Sequence, residues 1–279
     1  MNKGRVTIPT DDNFIKETME IAEKWGADAI RDCDGFKLPK EIKDLAKKVY
    51  STYFVTRGDN EWAEKNLEEL QQTYLMTKHH IATSDSLTIN IMDSYFKEQV
   101  KPDSYHDIKE FWEVIDRTTN EVVDLDNWSY NEETQEVIIK GATPWHEYTV
   151  SFLAYCIWDP TQMYNHITNN WGDKPHDIPF DARKPKTNKY IFEAMHKWLD
   201  EHPEADVVRF TTFFYHFTLV FNDRAKEKFV DWFGYSSSVS AEALREFEKS
   251  KGYKLRAEDI IDQGYYNSPF PFFNQVVVE

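Results

Sequence analysis

The sequence has few cysteines and no excess of basic charge. Its only cysteines are Cys33 and Cys156, and no CxxC or Cys/His ligand spacing occurs. A disulfide framework is therefore not expected, and neither is a metal site. Asp and Glu number 49 against 33 for Lys and Arg, which gives a formal net charge of −16. This balance speaks against nucleic acid or an anionic membrane as the partner, because both bind to basic faces.

Long apolar runs and phosphate-binding glycine loops are missing as well. No apolar stretch approaches the ~20 residues that a membrane-spanning helix needs, and the first residues lack the apolar core of a signal peptide. The nine glycines form neither GxxxxGK[ST] nor GxGxxG, and GxSxG and HExxH are absent too. We therefore expect a cytoplasmic protein in which side chains would have to hold any phosphate.

Aromatic residues and an alternation of helices and strands are what the chain does have. Aromatics make up 15% of the residues, which fits both an ordinary packed core and sites that stack sugar rings. Helical spacing from Phe14 to Trp25 ends at Gly26, a short apolar strand follows, and a second helix is predicted from Pro39 to about Tyr50. Helix and strand in alternation predict an α/β fold.

Between about residues 73 and 145 the pattern becomes that of an antiparallel sheet. Residues 86–91 and 136–140 have strand composition, and residues 117–123 resemble a hairpin. We interpret this region as an antiparallel β insertion within one domain that spans residues 1–279. A long apolar strand is predicted after it, over residues 148–158, and helices are predicted at about 223–233 and 241–251.

Two predicted strands carry nearly the same sequence and end in arginine. They are Ala27-Asp-Ala-Ile-Arg31 and Ala205-Asp-Val-Val-Arg209. In an α/β barrel the carboxyl ends of the strands build the active site, and a buried guanidinium needs an anionic partner. Two converging arginines would form a phosphate clamp. The alternative is that each arginine pairs with a neighbouring carboxylate, such as Asp32 or Asp34.

Several longer motifs are similar to those of one enzyme family. Trp25-Gly-Ala-Asp-Ala-Ile-Arg31, the run from Trp145 to Tyr155, Met163-Tyr-Asn-His166 and the run from Val207 to Tyr215 closely resemble the galacto-N-biose/lacto-N-biose phosphorylases. The resemblance extends from about residue 4 to residue 270. It implies an incomplete TIM-like barrel and an inverting phosphorylase that uses inorganic phosphate as co-substrate and needs no cofactor.

The resemblance also assigns site residues. Arg31 and Arg209 match positions that help to hold phosphate in the family. The acceptor-sugar pocket of the family is matched by five positions, namely Pro160, Thr161, Asn165, Trp232 and Tyr235. Thr161 and Tyr235 depart from the residues expected in members that prefer lacto-N-biose, so GlcNAc, GalNAc and rhamnose all stay open as acceptor.

The family pattern stops near the end of this chain. It fails at Pro271, and the aspartate that serves as general acid in the family lies in a part without a counterpart here, so no catalytic residue is assigned. We expect an N-terminal fragment, inactive by itself, of a galactosyl-N-acetylhexosamine phosphorylase. The alternatives are a β-galactosyl-rhamnose phosphorylase and a non-catalytic module that binds sugar or phosphate. A homodimeric full-length protein is left open.

Overall fold

The computed structural model describes residues 6–10, 14–33, 37–169, 172, 175–211, 218–224, 227–231, 239–262 and 265–266. The chain forms two compact units. The first, which we name the parallel unit, consists of Met1–Thr56 and Pro185–Phe213. The second, the antiparallel unit, consists of Arg57–Lys184 and Phe214–Glu279.

Strands and helices are numbered separately along the chain. The strands are β1 (Thr7–Thr10), β2 (Ala29–Asp32), β3 (Lys48–Phe54), β4 (Gln72–Met76), β5 (His80–Ile81), β6 (Ser86–Asn90), β7 (Val100–Pro102), β8 (Glu113–Asp116), β9 (Glu121–Val122), β10 (Trp128–Asn131), β11 (Glu136–Lys140), β12 (Glu147–Cys156), β13 (Val207–Thr211), β14 (Thr218–Phe221), β15 (Glu227–Asp231), β16 (Ile261–Asp262) and β17 (Tyr265–Tyr266). The helices are α1 (Ile15–Trp25), α2 (Lys40–Leu45), α3 (Asn60–Glu64), α4 (Ile108–Phe111), α5 (Pro160–Asn169), α6 (Pro185–Glu201), α7 (Ala241–Lys251) and α8 (Ala257–Ile260).

The parallel unit is a sheet of four strands in the order β1-β2-β3-β13. Every neighbouring pair in this order is parallel, and α1 and α2 connect the first three strands as crossover helices. Ile30 of β2 and Val49 of β3 are buried in one cluster with Ile42 of α2. The predicted α/β fold is therefore confirmed, and the described part of the sheet does not close into a barrel.

Helix α1 ends where the sequence predicted. Gly26 caps it with φ 61°, and its backbone N–H donates to the carbonyls of Ala22 and Glu23. Glycine adopts this left-handed conformation without the steric cost that a Cβ adds. The cap lets the chain turn directly into β2.

Antiparallel strands make up the sheets of the other unit. One sheet has the order β4-β12-β8-β9, with β5 and β7 also paired to β12, and a second has the order β10-β11-β6. Trp112 and Phe152 are buried in the large core between them, with ring centroids 5.7 Å apart. The predicted antiparallel region, including the hairpin of β8 and β9, is confirmed.

Two local predictions were wrong. The second helix stops at Leu45, and Val49 and Tyr50 belong to β3, because Val, Ser, Thr, Tyr and Phe in sequence favour a strand over helix extension. Residues 227–231 form β15, antiparallel to β14, where a helix was predicted. The predicted long strand, in contrast, is present as β12 and lies at the centre of the antiparallel sheet.

The structure also bears on membrane insertion. Over the ranges described above, no helix combines the length and the apolar character that crossing a bilayer requires.

Candidate functional site

The two arginines of the repeated motif lie on one sheet face of the parallel unit. Arg31 of β2 pairs with Tyr50 of β3, and Arg209 of β13 pairs with Thr52 of β3. Paired residues in a parallel ladder share a face, and so do residues two apart on one strand. Arg31, Tyr50, Thr52 and Arg209 therefore project from the same side. With strands ~4.8 Å apart and ~3.3 Å per residue, the two arginine Cα atoms are ~12 Å apart.

That separation suits a clamp for one tetrahedral anion. An arginine side chain reaches roughly 6–7 Å from its Cα, so two of them can meet over a span of this size. Both arginines stand at the third position of their strands, towards the carboxyl ends, where α/β barrels bind ligands. The sheet thus brings together the two residues that the sequence assigned to phosphate.

Neither arginine is paired with a carboxylate of the described residues. Within the described ranges, no ion pair involves Arg31 or Arg209, and Arg31 Nε is buried without a hydrogen-bond partner. Asp32, one alternative partner, accepts a hydrogen bond from the backbone N–H of Thr52 at 2.7 Å. Asp34, the other, lies outside the described residues. Among the residues that the structure describes, Arg31 therefore has no internal salt bridge.

The aspartates of the two motif copies, Asp28 and Asp206, make the same kind of contact. Asp28 Oδ1 accepts from the backbone N–H of Val6 at 3.1 Å, and Asp206 Oδ2 accepts from that of Val49 at 2.8 Å. Each aspartate fixes the start of its strand to a preceding segment or strand, and the arginine follows three residues later. Both copies of the motif therefore anchor a strand and present a cation near its end.

Sequence reasoning missed Thr52. It is 2% exposed, it lies level with Arg209 on the next strand, and its buried Oγ1 has no hydrogen-bond partner among the described residues. The available signal was the β-branched and aromatic run from Val49 to Phe54. Because that run was assigned partly to a helix, Thr52 was not placed beside the arginines.

The predicted acceptor residues belong to the antiparallel unit. Pro160 begins α5, and Thr161 and Asn165 lie in the same helix one turn apart. Proline is well suited to the first turn, where its missing N–H has no helical acceptor. Trp232 and Tyr235 lie outside the described residues. Their assignment to the acceptor pocket stays a prediction.

A buried polar network holds the first turn of α5. Asp159, directly before the helix, forms an ion pair with Arg57 at 2.9 Å and accepts from the backbone N–H of Gln162, also at 2.9 Å. Gln162 Oε1 accepts from Trp158 Nε1 at 3.1 Å and from the backbone N–H of Asp177 at 2.5 Å. These contacts fix the helix that carries three of the predicted acceptor residues.

The charge balance of this network is uneven. Burial raises the pKa of Asp177, the charge of Asp159 raises it further, and the Arg57 guanidinium only partly offsets both effects. One guanidinium thus faces two carboxylates, and its shorter contact is with Asp159, since Arg57 Nε is 3.7 Å from Asp177 Oδ2. Arg57 therefore acts mainly as the partner of Asp159.

A second network lies within the antiparallel sheet. Asp103, 1% exposed, accepts from Gln72 Nε2 at 2.5 Å and is 2.7 Å from His106 Nδ1. Tyr155 Oη lies 3.4 Å from the same histidine nitrogen. Burial opposes ionisation of Asp103, but the hydrogen bonds from His106 and Gln72 outweigh it and hold the pKa of the carboxyl below its usual value. Because the Asp103 carboxylate is hydrogen-bonded to Gln72 and His106, we interpret this network as structural.

Among the side chains that the structure describes, no group of three His, Cys, Asp or Glu residues is arranged to hold a metal ion.

Comparisons with known proteins give the family. The family described as "Lacto-N-biose phosphorylase N-terminal TIM barrel domain" matches residues 4–277. A 1,3-β-galactosyl-N-acetylhexosamine phosphorylase of Lachnoclostridium phytofermentans is 59% identical over 266 residues, which cover 95% of this chain and 37% of that protein. A protein of the same description from Bifidobacterium longum subsp. longum is 52% identical over 265 residues, 95% of this chain and 35% of its own length.

A rhamnose-specific relative is more distant. The D-galactosyl-β-1→4-L-rhamnose phosphorylase of L. phytofermentans is 42% identical over 269 residues, 96% of this chain and 37% of that protein. The chain thus spans little more than a third of the length of these relatives. The match to the TIM barrel family and the open four-stranded parallel sheet together confirm the predicted incomplete TIM-like barrel. The chain belongs to the lacto-N-biose phosphorylase family, and residues 4–277 match the N-terminal TIM barrel domain of that family.

Proposed function

We propose that the full-length protein is an inverting 1,3-β-galactosyl-N-acetylhexosamine phosphorylase and that the parallel unit supplies its phosphate site. The observation that carries the proposal is the placement of Arg31 and Arg209 on one sheet face without a carboxylate partner for either within the described ranges. Two guanidinium groups bind an oxyanion through paired, charge-assisted hydrogen bonds.

The proposed reaction is a hexosyl transfer to phosphate. A phosphate oxygen attacks the anomeric carbon of the galactosyl residue from the face opposite the leaving oxygen. The glycosidic C–O bond breaks as the new C–O bond forms, and a general acid gives its proton to the leaving oxygen. The products are galactose 1-phosphate and an N-acetylhexosamine.

This chemistry needs one carboxyl acid rather than two. An inverting glycosidase requires a second carboxylate to activate water, whereas phosphate is already an anionic nucleophile. The arginines would offset its charge and orient it, which is the electrostatic part of the catalysis. The resemblance places the general acid beyond this chain, so Arg31 and Arg209 contribute binding and orientation. No cofactor is part of the proposal.

The acceptor is proposed to be an N-acetylhexosamine. Two relatives described as acting on galactosyl-N-acetylhexosamines share 59% and 52% of aligned residues with this chain, against 42% for the rhamnose-specific relative. Pro160, Thr161, Asn165, Trp232 and Tyr235 are proposed to shape the acceptor pocket. A cytoplasmic location, in keeping with two cysteines that form no disulfide, belongs to the same proposal, and a homodimeric assembly is left open.

The test uses a completed chain. In it, residues 1–266 are followed by the part of the 59% identical relative that comes after its matching region. Phosphorolysis is measured at varied phosphate and saturating disaccharide. Arg209→Ala should raise KM for phosphate by roughly 10- to 100-fold, the size of a lost hydrogen bond to a charged group. Arg224→Ala, which removes an exposed arginine of the antiparallel unit, is the control and should leave KM unchanged.

Three outcomes would contradict the proposal. An Arg209→Ala variant with an unchanged dependence on phosphate would remove the arginine pair from the site. A completed chain that binds phosphate and galactosides but forms no galactose 1-phosphate would favour a binding module. Faster turnover of galactosyl-rhamnose than of either galactosyl-N-acetylhexosamine would favour the rhamnose-specific activity.

A further inference from the structure

The hydroxyl of Thr52 is a buried polar group that the described part of the fold leaves unpaired. Thr52 is 2% exposed, and across the described parts of the chain its Oγ1 has no hydrogen-bond partner. Buried hydroxyls are nearly always paired, because an unpaired one gives up its bonds to water without replacement. A valine would fill almost the same volume without this cost. The presence of threonine therefore calls for a partner that the described residues do not supply.

Thr52 stands between the two arginines. It pairs with Arg209 on one side, at about 4.8 Å between Cα atoms by sheet geometry. On the other side, Arg31 pairs with Tyr50, two residues earlier on β3, which places the Cα atoms of Arg31 and Thr52 roughly 8 Å apart. All three side chains project from one face. By this register, the Thr52 side chain projects from the face of the sheet that also carries Arg31 and Arg209.

The backbone at Thr52 is held firmly. Its N–H donates to Asp32 Oδ2 at 2.7 Å, and Asp32 is itself 2% exposed. By register Asp32 shares the face of Ile30, so this bond secures β3 from the side opposite the arginines. The hydroxyl is therefore pre-positioned on a rigid strand.

Arg31 Nε and the Thr52 hydroxyl are both able to donate a hydrogen bond. Within the described residues both are buried and unpaired. A ligand that satisfies two such donors beside a second arginine must offer several acceptor oxygens and negative charge. A phosphate oxyanion meets both requirements.

We propose that the Thr52 hydroxyl is a third phosphate-binding group, which donates a hydrogen bond to a phosphate oxygen between Arg31 and Arg209. This inference rests on the proposed phosphate site and adds to it a group that fixes the orientation of the nucleophile. Thr52 is a binding residue and transfers no proton.

The experiment compares three variants of the completed chain. Thr52→Val removes the hydroxyl at constant shape, and Thr52→Ser keeps it. Thr18→Val is the control for a structural hydroxyl in the same unit, because Thr18 Oγ1 lies 2.8 Å from Thr10 Oγ1 and donates to the carbonyl of Phe14 at 2.7 Å. Each variant is assayed for KM of phosphate, KM of disaccharide, phosphate affinity by calorimetry, and thermal unfolding midpoint.

The expected results separate binding from folding. Thr52→Val should raise KM and Kd for phosphate by about tenfold or more, as expected for a lost bond to a charged ligand. It should leave KM for the disaccharide nearly unchanged and should not lower the unfolding midpoint, whereas Thr18→Val should lower it. Thr52→Ser should restore most of the phosphate affinity.

The outcomes that overturn the inference are distinct from those that overturn the proposed function. If Arg209→Ala weakens phosphate binding and Thr52→Val does not, the inference alone is wrong. If neither variant affects phosphate, the proposed site itself is wrong. If Thr52→Val lowers the unfolding midpoint as much as Thr18→Val, or fails to fold while Thr52→Ser folds with normal phosphate affinity, the hydroxyl is structural and the inference is overturned.

Discussion

Arg57 and Asp159 form a buried ion pair at the start of α5, with Nη1 and Oδ1 2.9 Å apart and both side chains 7% exposed. The same carboxylate oxygen accepts from the backbone N–H of Gln162 at 2.9 Å, so the group that neutralises Arg57 also caps the helix. Asp159 therefore both pairs with a buried cation and caps the first turn of α5. Loss of either partner should therefore be costly.

We expect Arg57→Met in the completed chain to lower the free energy of unfolding by about 3–5 kcal/mol, because it leaves a buried carboxylate without its cation. Urea unfolding followed by tryptophan fluorescence measures the change. Lys65→Met is the matched control, since the Lys65–Glu61 pair has side chains 68% and 81% exposed and such pairs contribute at most ~1 kcal/mol. Equal effects in the two variants would show that the buried pair adds nothing to stability.

Acid should weaken the antiparallel unit through Asp103. Its pKa is held below the usual value, chiefly because hydrogen bonds from His106 and Gln72 outweigh burial. The unfolded state therefore binds more protons in acid, and the stabilisation present at neutral pH is lost as pH falls below about 4 and through the lowered pKa. In unfolding curves measured across this window, Asp103→Asn should lose less stability on acidification than the unsubstituted chain.

The control for the acid prediction is Asp85→Asn, which changes an exposed carboxylate. It should lose as much stability on acidification as the unsubstituted chain. A parallel pH dependence for Asp103→Asn and Asp85→Asn would show that Asp103 does not carry the effect.

Acceptor preference should depend on Thr161 and Tyr235. Thr161→Val or Tyr235→Phe in the completed chain should shift the ratio of kcat/KM for the GalNAc-containing and GlcNAc-containing disaccharides, because one pocket contact discriminates by ~1–3 kcal/mol. Tyr253→Phe, a change at a half-exposed ring, should leave the ratio unchanged. Ratios that move in neither variant would remove both residues from the acceptor pocket.

Residues 1–279 by themselves should catalyse no phosphorolysis and should fold poorly. Without the general acid, leaving-group protonation worth roughly 10²–10⁴-fold in rate is lost. In the described sheet, β1 and β13 each have one neighbouring strand, and unpaired edges promote aggregation. Galactose 1-phosphate formation and thermal unfolding are measured beside the completed chain. A soluble, cooperatively unfolding 279-residue monomer with measurable phosphorolysis would contradict this expectation.

Local patterns in the sequence were enough to predict α1, β2, β13 and α7. Helical spacing followed by Gly26, and short apolar runs that end in Arg31 and Arg209, depend on interactions among residues near in sequence. The two arginines could be nominated for the same reason. Five-residue motifs at strand ends are visible without knowledge of which strands are neighbours.

Only the tertiary structure determined which strands are neighbours and which residues lie beside each other. The apolar spacing around Val49 is compatible with both a helix and a strand, and pairing with β2 and β13 selected the strand. The same pairing placed Thr52 between two arginines that are 178 positions apart in the printed numbering. Likewise, β12 has the composition of any buried strand, and only its antiparallel neighbours β4 and β8 determine its sheet. Strand partners are chosen by long-range burial and hydrogen bonding, which no local segment of the sequence encodes.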